Sequence, residues 1–179
     1  MRYSVTWFCL LLAACGGGAL DNPDDVANPP ATEGRRLSFA YFQACVQPVL
    51  ATPQGPNSAC AAAGCHDSAT GTGGALRLSA TAATEDTAQA PERLRASAMY
   101  RNFFSAQGVT VIGNPGASLL LAKPRLANVL HGGGLIFDRE TEATRRLAFW
   151  IGRPMPAGQD EFSPAGQALL NADGSCRVE

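Results

Sequence analysis

The sequence predicts a mostly α-helical fold with long irregular connections. Two observations carry this: apolar residues recur at helical spacing in several segments, and sustained strand alternation is absent. The 179 residues suffice for one sizeable domain.

The first helix is expected over residues 37–50. Ser38 can cap it, Phe42, Val46, Val49 and Leu50 share one face, and Pro48 sits near its end. Residues 51–59 form a Pro/Gly/Asn loop, and Gly71-Thr72-Gly73-Gly74 makes a tight turn before Leu76-Arg77-Leu78. A second helix is expected from Pro91 to Phe104, with Pro at its first position, Glu92 in its first turn, and Met99/Phe103 and Tyr100/Phe104 as i,i+4 pairs. Asn114-Pro115 opens a short helix through Leu121, stopped by Pro124. The strongest helix runs from Asp138, its cap, to Gly152, with Ala143, Leu147, Trp150 and Ile151 as its apolar stripe and Pro154 just beyond. Loops as long as those between these helices need an organiser, commonly a cofactor or a disulfide.

The amino end reads differently. Arg2 precedes an apolar run, Val5 to Ala14, that is shorter than the roughly 20 residues a spanning helix needs, so residues 1–14 are expected to be a signal peptide. Leu12-Ala13-Ala14-Cys15 resembles the lipobox of bacterial lipoproteins. The resemblance implies that Cys15 is lipidated and becomes the new amino terminus. Gly16 in place of Asp after that Cys favours the outer over the inner membrane of a bacterial envelope, with the chain facing the periplasm. Residues 15–36, rich in Gly, Asn, Asp and Pro, are expected to be a lipidated flexible tether to a domain spanning 37–179. The net charge of -1 and the lack of a basic cluster argue against nucleic-acid binding. Contact with the membrane is expected through the lipid alone.

Six cysteines fit an oxidising compartment. Cys9 leaves with the signal peptide and Cys15 takes lipid, so Cys45, Cys60, Cys65 and Cys176 remain. Cys60-Ala-Ala-Ala-Gly-Cys65-His66 is an expanded form of the Cys-x-x-Cys-His string that attaches c-type haem. Its extra residues, Ala61 to Gly64, are small enough to loop outward. A local Cys60–Cys65 disulfide and a zinc site completed by Cys45, Cys176 or His131 are the competing readings.

Further motifs follow in order: Phe42-x-x-Cys45-x-x-Pro48-Val49-Leu50, the Cys60–His66 string, Gly73-Gly74-x-Leu76-Arg77-Leu78, Gly113-Asn114-Pro115-x-x-Ser118-Leu119-Leu120-Leu121-x-Lys123-Pro124, His131-Gly132-Gly133-Gly134-x-x-Phe137 and Leu147-x-x-Trp150-Ile151. Together, over most of residues 39–152, they resemble the cytochrome-c-like domains of bacterial envelope proteins. The resemblance implies a cytochrome c-like fold. In it the helices at 37–50 and 138–152 cross, Phe42 or Tyr41 seals against Phe149 or Trp150, and one covalent haem c lies in the loops between. His66 follows the attachment cysteine and is the expected proximal iron ligand. His131 is the expected distal ligand, because it precedes the last helix and its three glycines let the backbone pass close to a flat macrocycle. Met155, in Pro154-Met155-Pro156, is the alternative distal ligand, although it follows that helix. Met99 is explained by core packing. Cys45 and Cys176, the thiols left over, are expected to pair.

His131-Gly132-Gly133-Gly134 also resembles a lipase oxyanion-hole string, but no Gly-x-Ser-x-Gly elbow accompanies it. No phosphate-binding Gly loop is present. Asp24-Asp25 and Glu85-Asp86 read as solvated charges. The chain is therefore expected to be no enzyme. The leading expectation is a lipid-anchored monohaem cytochrome that passes single electrons to a redox partner protein in the envelope. A non-haem, disulfide-stapled binding or assembly module and a haem sensor of a diatomic gas are the alternatives. Residues 153–179 receive no role from the sequence.

Overall fold

The computed structural model describes residues 34–54, 58–137 and 140–179. The described residues belong to one structural unit. The expected signal peptide, the expected lipidation site Cys15 and most of the expected tether lie outside the described residues, as does Asp138.

The described residues are mostly helical, with no strand among them; isolated bridges such as Asp67–Leu78 tie loops together. The first helix begins at α1 (Phe39–Tyr41), passes through a π-helical turn (Phe42–Val46) and continues as α2 (Gln47–Ala51). Ser38 caps it, its Oγ accepting the N–H of Tyr41 at 2.9 Å. The wide turn has a local cause. Pro48 has no N–H to offer the carbonyl four residues back, and the backbone adjusts by closing an i→i+5 bond from the Gln47 N–H to the Phe42 carbonyl.

The helix expected from Pro91 to Phe104 is two helices, α3 (Pro91–Ala96) and α4 (Ala98–Gln107). Ser97 is extended (φ -72°, ψ 159°), and its Oγ accepts the Tyr100 N–H, so it caps α4 and breaks the run. Asn114 caps a short 3-10 turn, Pro115–Ala117, followed by α5 (Leu119–Ala122). The last long helix is α6 (Glu142–Gly152). Its cap is Thr141 rather than the expected Asp138: Thr141 and Thr144 satisfy each other's backbone N–H in a reciprocal capping box. A short α7 (Pro164–Gln167) follows.

The core forms where the first helix meets α4 and α6. Phe42 packs on Trp150 with ring centres 5.3 Å apart and Tyr41 on Phe149 at 5.1 Å, as the sequence suggested. Phe103 closes the cluster against Phe39 at 5.6 Å and Trp150 at 6.0 Å. Trp150 is fully buried, and its Nε1–H donates to the Ser38 carbonyl at 2.9 Å.

The tail wraps back over the first helix. Cys45 and Cys176 form a disulfide with Cα atoms 5.7 Å apart. The Tyr41 hydroxyl donates to the Arg177 carbonyl. Glu161, only 3% exposed, accepts from Arg95 and from the Tyr100 hydroxyl (2.9 Å), fastening the loop before α7 to α3 and α4.

Candidate functional site

The loop bearing Cys60, Cys65 and His66 is pinned by its own backbone. The Ala61 N–H reaches the Leu50 carbonyl at the end of the first helix, and the His66 N–H reaches back to Cys60, both at 3.0 Å. Ala63 and Gly64 face solvent as expected, whereas Ala61 turns inward and is buried. Gly64 adopts φ +78°, a left-handed conformation that suits glycine. Behind His66 the chain doubles back: Gly73 donates to the Cys65 carbonyl and Leu78 to the His66 carbonyl, each at 2.8 Å.

His131 lies in a second loop, after α5. The Pro124 carbonyl there accepts the N–H groups of Ile136 and Phe137 at 2.8 and 3.1 Å, and the Gly134 N–H closes on the His131 carbonyl at 2.9 Å.

The two loops face each other across a cavity of about 760 Å³. Cys60, Cys65 and His66 line one side; Lys123, His131 and Gly132 line the other. Leu50, Leu76 and Phe137 add apolar wall. This is the size and character of a small-molecule or cofactor site. The imidazoles of His66 and His131 are nearly parallel, 8° apart, with ring centres separated by 6.1 Å. His66 Nδ1 lies 3.1 Å from the Leu76 carbonyl and His131 Nδ1 lies 2.8 Å from the Gly134 carbonyl. A carbonyl only accepts, so each Nδ1 carries a proton, and in a neutral ring the lone pair then lies on Nε2. Burial pushes the His66 imidazole below its ordinary pKa. The Leu76 carbonyl opposes this, and the charges of His131, Arg77 and Lys123 lower it further. The neutral, ligating form of His66 is thereby favoured.

Cys60 and Cys65 are free thiols, so the local disulfide is not formed. Burial pushes the Cys60 thiol up to about 11, its own backbone N–H works against this, and nearby Cys65 adds to it. Cys60 is therefore a protonated thiol at neutral pH.

Met155 is not part of the cavity wall. It is 2% exposed, with its backbone N–H on the Arg36 carbonyl and its sulfur accepting from the Ser163 hydroxyl at 3.7 Å. Its place beyond α6 puts it against the tail, and the alternative distal ligand is thus separated from the cavity. Met99 is buried in α4 as core, in line with its helical spacing.

Whether a haem fits can be judged from the donors. Two imidazoles on one metal ion through facing nitrogens have centres about 6 Å apart, from metal–nitrogen bonds of about 2 Å and about 1 Å of ring on each side. The His66 and His131 ring centres, 6.1 Å apart, match that distance between centres. Among the described residues no group of three His, Cys, Asp or Glu side chains could hold a metal by itself. Among the described residues a zinc ion would thus lack a full ligand set, whereas a metal carried in a macrocycle would need only two nitrogen donors from the protein, for which His66 and His131 are the candidates. No known protein family, curated protein or solved structure matches the chain.

Gly73, Leu76 and Gly134 are the positions whose roles the sequence did not disclose. A Cβ on Gly73 would fall 2.4 Å from His66 Nδ1, so this glycine is what lets the ring lie where it does. Leu76 and Gly134 act through backbone carbonyls, which leave no trace in side-chain identity.

Proposed function

We propose that the protein is a lipid-anchored monohaem c-type cytochrome with a cytochrome c-like fold, carrying single electrons in the bacterial envelope. One observation carries the reading: two parallel imidazoles, each with Nδ1 fixed by a carbonyl, face each other across a cavity that also holds two free thiols. In this reading Cys60 and Cys65 anchor the group through thioethers, and His66 and His131 bind its iron. Bound there, haem c supplies a one-electron redox couple. The carbonyls of Leu76 and Gly134 hold both rings in orientation and make their Nε2 atoms better donors. Leu50, Leu76 and Phe137 keep water from the cavity floor. Cys15 supplies the membrane anchor, and a protein partner takes or delivers the electron.

The test is the reduced-minus-oxidised spectrum of the full chain matured with a cytochrome c assembly system. A sharp reduced α-band that survives acid-acetone extraction is the expected result; its absence overturns the reading in favour of a non-haem envelope module. His131→Ala should lose the six-coordinate spectrum and Met155→Ala should keep it. A methionine-to-iron charge-transfer band lost only in Met155→Ala would reject His131 as ligand. Detergent partitioning of Cys15→Ser against the wild type tests the anchor separately.

A further inference from the structure

A second concavity, an open groove of about 530 Å³, lies beside the cavity, and Ala75 and Val109 line both. Its remaining wall comes from α3, α4 and the 75–77 segment, with Arg77, Arg95, Arg101, Tyr100 and Phe104 prominent. Phe104 is 64% exposed, a large apolar ring left open on an otherwise well-packed helix.

The charges around it are unbalanced. Arg95 is answered by Glu161 at 3.1 Å and Asp160 at 3.8 Å. Arg77 and Arg101 are exposed, and among the described residues their guanidinium groups bond to backbone carbonyls, those of Gly71 and Ala96. Residues 93–137 contain Arg93, Arg95, Arg101, Lys123 and Arg125 and no Asp or Glu, although the whole chain carries a net charge of -1. The linings of the groove and the cavity accordingly contain Arg77, Arg95, Arg101 and Lys123 and no Asp or Glu. Exposed arginines around an open aromatic ring have the composition of an interface centre.

We propose that the groove formed by Arg77, Arg101 and Phe104 is the docking site for an acidic redox partner protein. The partner would place carboxylates on the two guanidinium groups and an apolar side chain on Phe104. This rests on the electron-carrier reading for the partner's redox character, but the surface itself can be tested without it. A concave groove with an apolar floor suits a protruding side chain of a protein. A flat anionic bilayer or a nucleic acid would be better served by an extended basic surface on a chain of positive net charge.

The experiment titrates the isotope-labelled full chain, in detergent micelles at low salt, with the acidic peptide Asp-Glu-Phe-Glu-Asp and follows amide shifts. Shifts confined to residues 75–77 and 101–109 are expected. The Arg77→Glu/Arg101→Glu double variant should weaken binding about tenfold or more, and about 0.5 M salt should weaken the wild type similarly, since screening then acts over about 4 Å. Phe104→Ala should weaken binding at both salt levels. Shifts centred elsewhere, no shifts, or equal binding by the charge-reversed variant would overturn the proposal. So would shifts produced by vesicles with anionic lipid but not by the peptide. The titration works with or without haem, so its failure is distinct from failure of the spectral test. In haem-loaded protein, charge reversal should slow oxidation by hexacyanoferrate(III) at low salt and speed oxidation by tris(phenanthroline)cobalt(III). Equal rates for wild type and variant with both probes would also overturn it.

Discussion

Gly73 shows how much of the site rests on an absent side chain. A methyl group there would meet His66 Nδ1 at 2.4 Å and the Cys65 carbonyl at 2.8 Å, and the ring cannot retreat without leaving the Leu76 carbonyl. Gly73→Ala is expected to cost about 1–3 kcal/mol by overpacking and to displace His66 from the cavity. Comparing thermal unfolding and the haem spectrum of Gly73→Ala with those of Gly116→Ala checks this. At Gly116 the added Cβ meets its nearest neighbour, Asn114 Oδ1, at an ordinary 3.6 Å. Unchanged spectrum and stability in Gly73→Ala would mean the backbone yields there. At this scale the sequence was informative where chemistry resides in side chains. Cys60, Cys65, His66 and His131 stand out by type and spacing, and the structure brings all four to one cavity. It was silent where the chemistry resides in a carbonyl.

Among the elements, Glu161 ties α3 and α4 to the tail. It joins the loop before α7 to α3 through Arg95 and to α4 through Tyr100. Burial alone would raise its carboxyl pKa. Hydrogen bonds from its own N–H, Tyr100 and Arg95, with the Arg95 charge, outweigh that and hold it below the usual carboxylate range. A folded-state pKa below the unfolded value means that the unfolded chain takes up the proton first as pH falls. The stabilisation is therefore fully present above the ordinary carboxylate range and is lost as pH falls from that range through the lower folded-state pKa. Glu161→Gln is expected to cost about 1–3 kcal/mol at neutral pH and to flatten the acid side of the stability profile. Asp67 and Asp173, also held low by local hydrogen bonds, leave a residual slope. Unfolding midpoints from pH 3 to 8 for both proteins would check this, and parallel profiles would refute it. Sequence periodicity could not reveal this contact, because a buried carboxylate has no local signature. It also ran through Ser97, since Met99/Phe103 and Tyr100/Phe104 satisfy helical spacing on either side of the break. Ser38 was legible as a cap because capping is decided within three residues.

Within residues 32–179 the carboxy-terminal tail is held covalently to the first helix. The Cys45–Cys176 bridge spans 131 positions. The chain-entropy estimate for a loop of that length is about 5 kcal/mol, so Cys45→Ser/Cys176→Ser should lower unfolding stability by roughly 3–5 kcal/mol. Denaturant midpoints of the double variant and the oxidised wild type check this; equal midpoints would mean that packing alone holds the tail. The helical class could be read from apolar spacing, whereas the pairing of the first and last long helices was an expectation from the resemblance to cytochrome-c-like domains. In residues 153–179 the pairing of Cys176 with Cys45 was legible from the cysteine count, but the placing of the Met155 backbone and of Glu161 was not, because Arg36, Arg95 and Tyr100 lie more than 60 positions away along the chain.

The bridge also encloses Cys60 and Cys65, and this nesting dictates an order of assembly. In an unfolded chain those two thiols, five positions apart, meet far more often than Cys45 meets Cys176, because closing a short loop sacrifices less chain entropy. An oxidant acting before the chain has collapsed would therefore make the wrong crosslink first and consume both thiols of the cavity. The observed pairing is reached without correction only when the tail has already docked on the first helix, so that tertiary contacts choose the partner. Folding must come first and oxidation second, or a disulfide-shuffling catalyst must edit the product.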